Sequence, residues 1–484
     1  MNTEIALPVQ ELKQALSGFN RMVGRKTTLP VLSHVRISRN TTGQVKLQAT
    51  DLDAHATYTL GSSQTGEAAD LLVPIEQLNK AFKSSSANKQ DLALVCEGKN
   101  TRLRYYIGGN PVLQPINTLP VEEWPPHPEI TEEPKALQPG FGLALKQAMQ
   151  CCSEDPTRQL LRGACLDARE TQGHYIVGTN GRFLYSANSF TFPLKDAIIV
   201  PDSKFISGSG FLDNEPCYLA VQPGKKPSDT KHICLSNQQW QLVTREIVGP
   251  YPNWKQVVPP VDAKWTEVDL SEPAIEQLLK VIPNLPGRDD VNNAVRLRIQ
   301  NQVLLVEGRN PDDKEYTTVA ISDVRIKGKD RQLCLNRDYL LPALRFGMKT
   351  WAVLDELSPM VLNRGGKRMV IMPVRPTGPA PNPVAQTPSA SVPPTAEALK
   401  PAEEKEVTMP KDTNKPTEPK PAEPPTTVSM IDQVERVKDT LKHALRELTG
   451  LTDLARQMER DKRAGDKEVE TARTVLKKLQ SVSI

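Results

Sequence analysis

The sequence predicts an α+β protein made of three tandem copies of one domain, each with two helices packed on a mostly antiparallel sheet. A disordered Pro-rich linker and a helical, coiled-coil tail are expected to follow. Two echoes carry the repeat. The first reads "VKLQATDLDAHATYTL" from Val45, "YIVGTNGRFLYSANSF" from Tyr175 and "LLVEGRNPDDKEYTTVAI" from Leu304. Each is an alternating apolar run, a polar turn and a second run, which spells a β-hairpin. Thr50, Thr179 and Gly308 occupy equivalent places, at a constant step of 129 residues (179−50 and 308−179). The second echo is "VPIEQLNKAF" from Val73, "VPDSKFISGS" from Val200 and "LCLNRDYLLPAL" from Leu333, a short strand leading into a helix.

The first domain spans 1–131 and opens with a helix after Pro8, where Leu12, Leu16, Phe19 and Met22 recur at helical spacing. It closes on the Pro-rich "LPVEEWPPHPEITEEP". The second, 132–262, opens with "FGLALKQAMQCC" and closes on "GPYPNWKQVVPP". The third, 263–375, opens with "SEPAIEQLLKVI", where Ser271 can cap a helix and Glu272 and Glu276 suit its positive end. Alternating runs such as "AVRLRIQNQVLLVEG" supply the strands between.

Composition changes after Arg375. Fourteen of the 42 prolines lie in 376–425, and the linker at 376–427 has too few apolar residues to offset chain entropy. The tail at 428–484 carries a heptad seam: Met430, Val434, Val437, Leu441, Ala444, Leu448, Leu451, Ala455 and Met458 step by 4 and 3. Such a seam serves either a helical hairpin or an oligomerising coiled coil, and Gly450 beside it weakens a long rod.

The net charge of +4 belongs to the front part, with 44 Lys and Arg against 40 Asp and Glu in 1–375 and 17 against 17 beyond. That excess is too small to mark a nucleic-acid binder by itself. The seven cysteines form no CxxC pair; the vicinal Cys151 and Cys152 read as helix-buried thiols, suiting a reduced, cytoplasmic compartment. The amino terminus reads as no signal peptide, and no apolar stretch is long enough for a membrane span. No phosphate-loop, nucleophile-elbow or HExxH pattern occurs, so catalytic residues, cofactors and metals are all expected to be none. Asp51, Asp53 and His55 would share a strand face as a metal cluster, but a hairpin turn with solvated acids is the plainer reading.

Basic residues recur on or beside the predicted helices. Lys13 and Arg21 lie on the first, Arg25 and Lys26 just beyond it, and Lys80 and Lys83 on the second. Lys146, Lys204, Lys280, Arg345 and Lys349 lie on or beside the later ones. A positive face on six helices suits phosphate contact without base reading; ordinary solvated helix faces would look the same.

At this point the residues resemble a known family, the bacterial β sliding clamp, the processivity subunit of the replicative DNA polymerase. The resemblance covers 1–375 and rests on "KTTLPVLSHVRI" with "LQATDLD", "VGTNGRFLYS" with "IIVP", "VGPYPNWKQVVP" and "MVIMPVRP", in that order. It implies clamp-type domains in a head-to-tail homodimeric ring, with sheets outside and helices lining a hole that holds double-stranded DNA. It also implies an ATP-driven clamp loader, and a hydrophobic groove that binds short peptides of the polymerase, the loader and repair proteins. Carried over where the motifs align, that groove uses Leu161, Thr179, Gly181, Arg182, Phe183 and Leu184. Pro252, Gln256, Val257, Tyr339, Val370, Met372, Pro373, Val374 and Arg375 complete it.

Three departures stand out. The family usually reads Asp-Gly-His-Arg-Leu where this chain has Asn180, Gly181, Arg182, Phe183 and Leu184. Gln114 stands at the expected ring interface where the family favours a large apolar residue, with Leu113 and Ile116 beside it. Most clamps stop at "MPVRP", whereas this chain continues. The alternative to a DNA-encircling clamp is an interaction scaffold assembled through the helical tail.

Overall fold

The first repeat runs β1 (Asn2–Leu7), α1 (Val9–Met22), β2 (His34–Arg39), β3 (Val45–Thr50), β4 (Ala54–Thr59), β5 (Ala69–Pro74), α2 (Ile75–Ser86), β6 (Leu92–Glu97), β7 (Asn100–Ile107) and β8 (Asn110–Ile116). The second repeats that order: β9 (Lys135–Ala136), α3 (Phe141–Met149), β10 (Gly163–Asp167), β11 (His174–Thr179), β12 (Phe183–Phe190), β13 (Ile198–Pro201), α4 (Lys204–Gly208), β14 (Tyr218–Gln222), β15 (His232–Ser236) and β16 (Trp240–Arg245). The third adds one strand: β17 (Thr266–Leu270), α5 (Glu272–Val281), β18 (Ala294–Gln300), β19 (Val303–Gly308), β20 (Thr317–Ile321), β21 (Val324–Lys327), β22 (Arg331–Asn336), α6 (Arg337–Arg345), β23 (Thr350–Val353), β24 (Met360–Arg364) and β25 (Lys367–Ile371). This computed structural model describes residues 2–375 apart from 25–28, 87–89, 98–99, 172, 209, 214–215, 225–228 and 289–291. The expectations for Arg25, Lys26, the linker and the helical tail lie outside the described residues.

The 129-residue echo is the hairpin β3–β4, β11–β12 and β19–β20. Thr50 faces His55, Thr179 faces Leu184 and Gly308 faces Thr317, so the third hairpin has the longer loop. Amphipathic spacing works as expected in α1, which buries Leu12, Ala15, Leu16, Phe19 and Met22. Ser271 caps α5 by accepting the Ala274 N–H at 3.2 Å, and Asn336 caps α6 by accepting that of Asp338 at 2.7 Å. The second echo holds too, although α4 is a helix of five residues only.

Sheet sharing joins the repeats. β5-β2-β3-β4 continues through β4·β16 into β16-β15-β14-β9, giving eight strands. β13-β10-β11-β12 continues through β12·β25 into β25-β24-β23-β17-β21, giving nine. Both of these joining pairs are antiparallel. At the first seam α1 packs on α4, and Phe19, Tyr58, Phe205 and Phe211 surround Trp240 at centroid distances of 4.8–6.4 Å. At the second, Tyr185 meets Phe346 edge-on, and Lys367 donates to Gln147 at 2.9 Å. Two four-stranded sheets remain, β1-β6-β7-β8 and β20-β19-β18-β22. In them β8, equivalent to β16 and β25, and β20, equivalent to β4 and β12, have no strand beyond them among the described residues.

Candidate peptide groove and basic helix face

Alternation along the strands of the second seam separates two apolar faces. Leu166, Ile176, Tyr185, Ile198, Val200, Met369 and Ile371 join the main core with α3. Their neighbours Cys165, Val177, Leu184, Ile199 and Val370 point to the opposite face, where the 249–258 segment covers them with Tyr251 and Trp254. Trp254 is fixed by its indole N–H, which donates to Asp167 Oδ2 at 2.9 Å. Burial pushes the Asp167 carboxyl up, but hydrogen bonds from Arg169 and Trp254 outweigh it and hold the acid down at about 2. Lys255 lies over the Tyr175 and Trp254 rings and pairs with Glu170.

Of the other expected residues, Pro252, Gln256 and Val257 (55% exposed) are exposed on the covering segment, Met372 (45%) is exposed just beyond β25, and Leu161, half-buried, packs against the floor. Leu184 and Val370 belong to the floor, at 3% exposure each. The Thr179–Leu184 turn is rigid: Thr179 Oγ1 donates to the Phe183 carbonyl at 2.6 Å and accepts from Gly181 N at 3.0 Å. Asn180 Oδ1 accepts from the amides of Arg182 and Phe183. Gly181 has φ +85°, a left-handed conformation that favours glycine, and lies beneath the Arg158 guanidinium.

The structure does not bring every expected groove residue to that floor. Phe183 turns to the helix face, is buried, and stacks on Tyr339 at 4.5 Å. With Arg182, Arg158 and Asp155 those two rings line an adjoining polar cavity of about 550 Å³. Beyond β25 the chain crosses between repeats: Met372 N donates to the Arg182 carbonyl at 3.0 Å, and Val374 N to that of Cys334 at 2.7 Å. Pro373 lies between them. Val374 and Arg375 then border a third-repeat cavity of about 250 Å³ with Arg296, Arg309 and Tyr316. Sequence reasoning missed the floor itself, Cys165, Val177, Ile199, Tyr251 and Trp254. The signal was available in "GPYPNWKQVV", whose two aromatics interrupt a polar stretch.

Lys13, Arg21, Lys80, Lys83, Lys204, Lys280, Arg345 and Lys349 are exposed or half-buried. Lys80 pairs with Glu76 at 2.9 Å, one turn away. The Arg21 guanidinium lies over Gly208 of α4, crossing the first seam. Lys146 differs: it is buried and its Nζ pairs with Asp213.

Asp51 closes the β3–β4 turn, accepting from the amides of Asp53 and Ala54 at 3.2 and 2.8 Å. His55 enters β4 and is buried against His127, with ring centroids 5.0 Å apart. Burial, and then the positive His127, Arg245 and His232, lower its imidazole to about 4. Cys151 is buried and its thiol held well above the ordinary range; burial pushes Cys165 up to about 12. Among the described residues no helix is long and apolar enough to cross a membrane, and no group of three metal-ligating side chains converges.

No protein-family model matches the sequence, and no curated protein matches it either. Solved structures do. The DNA polymerase III subunit beta from Pseudomonas aeruginosa is similar at 20% identity and TM-score 0.62, covering 78% of this chain and 100% of that one. The DNA polymerase sliding clamp from Bacillus subtilis is similar at 16% identity and TM-score 0.64, with the same coverages. The sliding clamp from Bartonella birtlesii, solved bound to griselimycin, is similar at 18% identity and TM-score 0.63, again over 78% and 100%. The chain has the bacterial β sliding-clamp fold.

Proposed function

We propose that this chain is a sliding clamp: two copies close head to tail around duplex DNA and hold other replication proteins to it through the groove at the second seam. One observation carries the reading. Within the chain each junction pairs a β4-type edge with a β8-type edge, as β4·β16 and β12·β25 do. That rule leaves β20 and β8 as the complementary ends, one per terminus of the repeat array. A second copy satisfies both, and a heterologous contact that closes makes a ring. At the first seam α1 also meets α4; if the joint between copies is built the same way, α5 meets α2 of the second copy.

The ring needs no chemistry of its own, because a closed loop is retained by topology. Phosphate contacts from Lys13, Arg21, Lys80, Lys83, Lys204, Lys280, Arg345 and Lys349 would then be sufficient and would permit sliding. Lys146 is left out because it is buried as well as paired with Asp213. The apolar floor with its exposed Met372 and Val257 suits short peptides carrying apolar side chains, presented by a polymerase, a loader or a repair protein. A reduced cytoplasm suits the buried thiols.

The test is the solution mass of the full chain against a Thr317→Pro variant. Thr317 is exposed on the β20 edge, so the monomer should fold normally. A dimer that the variant dissociates supports the ring. A variant dimer as tight as wild type would overturn it and favour assembly through the tail, the scaffold alternative.

A further inference from the structure

We infer that the joint between copies is a weakened β-ladder, at which the ring opens of its own accord; this rests on the ring reading above. Gly108 and Gly109, at φ +55° and +84°, make the two-residue turn between β7 and β8. In such a hairpin the flanking pair, Ile107 and Asn110, exchanges the hydrogen bonds, and hydrogen-bonded pairs then alternate along the ladder. Pro111, Leu113 and Pro115 therefore turn their main-chain groups away from β7, toward the open edge.

β25 is built on the same plan. After the Gly365–Gly366 turn its flanking pair is Arg364 and Lys367, so Arg368, Val370 and Met372 turn outward to β12. The Met372 N–H indeed crosses that seam to the Arg182 carbonyl. Counted from the turn, Arg368, Val370 and Met372 correspond to Pro111, Leu113 and Pro115. Proline has no N–H to give. Where β25 aims three donors across its seam, β8 aims one, from Leu113.

Continuing the register of β12·β25 onto β8·β20 sets Leu113 against Thr317 of the second copy, and Pro111 and Pro115 against Val319 and Glu315 of that copy. Those two carbonyls would meet no donor at the joint. Side-chain attraction remains, since Ile107 and Leu113 are 53% and 52% exposed on this hairpin. Proline on an edge strand is also a common guard against unwanted pairing. The two seams inside the chain keep their ladders, and the one between chains is thinned. A ring made this way exchanges subunits and passes on and off circular DNA without an ATP-driven opener.

The experiment compares the full-length wild type with Pro111→Val/Pro115→Thr, which returns both donors, and with Leu113→Pro, which removes the last. Sedimentation equilibrium gives the dimer Kd, and mixing two dye-labelled populations gives the exchange rate. The double variant should bind and exchange at least about tenfold tighter and slower, since two hydrogen bonds are added at each of the two joints, four per dimer. Leu113→Pro should abolish association while keeping the wild-type melting temperature. Wild-type Kd and exchange in the double variant, with its melting temperature intact, would overturn the inference while leaving the ring standing. Wild type and both variants monomeric at every concentration would overturn the ring reading itself. A Leu113→Pro dimer as tight as wild type would overturn the seam assignment.

Discussion

Gly178 shows how narrowly one residue can be constrained. It lies on β11 beneath α3, and a Cβ there would fall inside the van der Waals radius of the Ala148 carbonyl, a backbone group that cannot swing away. Gly178→Ala should therefore destabilise the fold by about 1–3 kcal/mol, read as a lower midpoint in chemical denaturation. His55 makes a second case, in which charge is the burden. Its folded value of about 4 lies below the ordinary 6.5. The folded state thus binds fewer protons than the unfolded chain between those limits, so stability is full above pH 6.5 and falls as pH drops toward 4. The loss should approach about 3 kcal/mol, by the usual 1.4 kcal/mol per pH unit. His55→Gln should flatten that part of the stability–pH curve, and an unchanged curve would show that another group governs it. Neither constraint was legible beforehand: "VGTNG" announces a turn and "DAH" a hairpin, but neither says which backbone or ring lies opposite.

At the scale of elements, the hairpins were legible because a strand of period two writes its own burial pattern, and the 129-residue step located all three. The helices were legible where caps and apolar spacing agreed, as at Ser271 and along α1. The groove was legible in part. Phe183 and Leu184 are neighbours in sequence, and the resemblance assigned both to the groove; the pleat sends them to opposite faces, Phe183 to Tyr339 and Leu184 to the floor under Trp254. This settles which residues can test the groove. A polar residue at Leu184 would damage the floor, whereas Met372→Asp and Val257→Asp act on exposed surface. The probe is griselimycin, found bound to the Bartonella birtlesii clamp; provided it binds the wild type here, the pair should weaken that binding at least about tenfold without lowering the melting temperature, the loss expected when charge replaces apolar surface at a groove. Wild-type affinity would move the ligand site elsewhere. The edge chemistry of β8 is written in "NPVLQPI", where Gln114 was weighed with Leu113 and Ile116; an outward-facing proline matters only once the register is known.

For the molecule as a whole, what the sequence could not supply was the sharing of sheets between repeats, since such pairings join residues far apart in the chain, as Thr244 and Ala54 are. Once seen, the sharing leaves β8 and β20 as the open edges on which the proposed ring rests. Reversing Lys13, Lys204, Lys280 and Arg345 to Glu should weaken DNA association and flatten its dependence on salt, by about one unit of log–log slope for each phosphate no longer neutralised. An unchanged slope would place DNA binding outside the helices. Encirclement is a topological property, and it is measured as retention on DNA that depends on the shape of the DNA. Full-length protein is incubated with a nicked circular plasmid and with the same plasmid linearised, and each is then passed through a sizing column at raised salt. An encircling ring leaves the circle only through an opened joint, so it is lost from the circle more slowly than from the linear form, where it also runs off the ends. Equal rates of loss from both, or equal retention on both, would contradict encirclement.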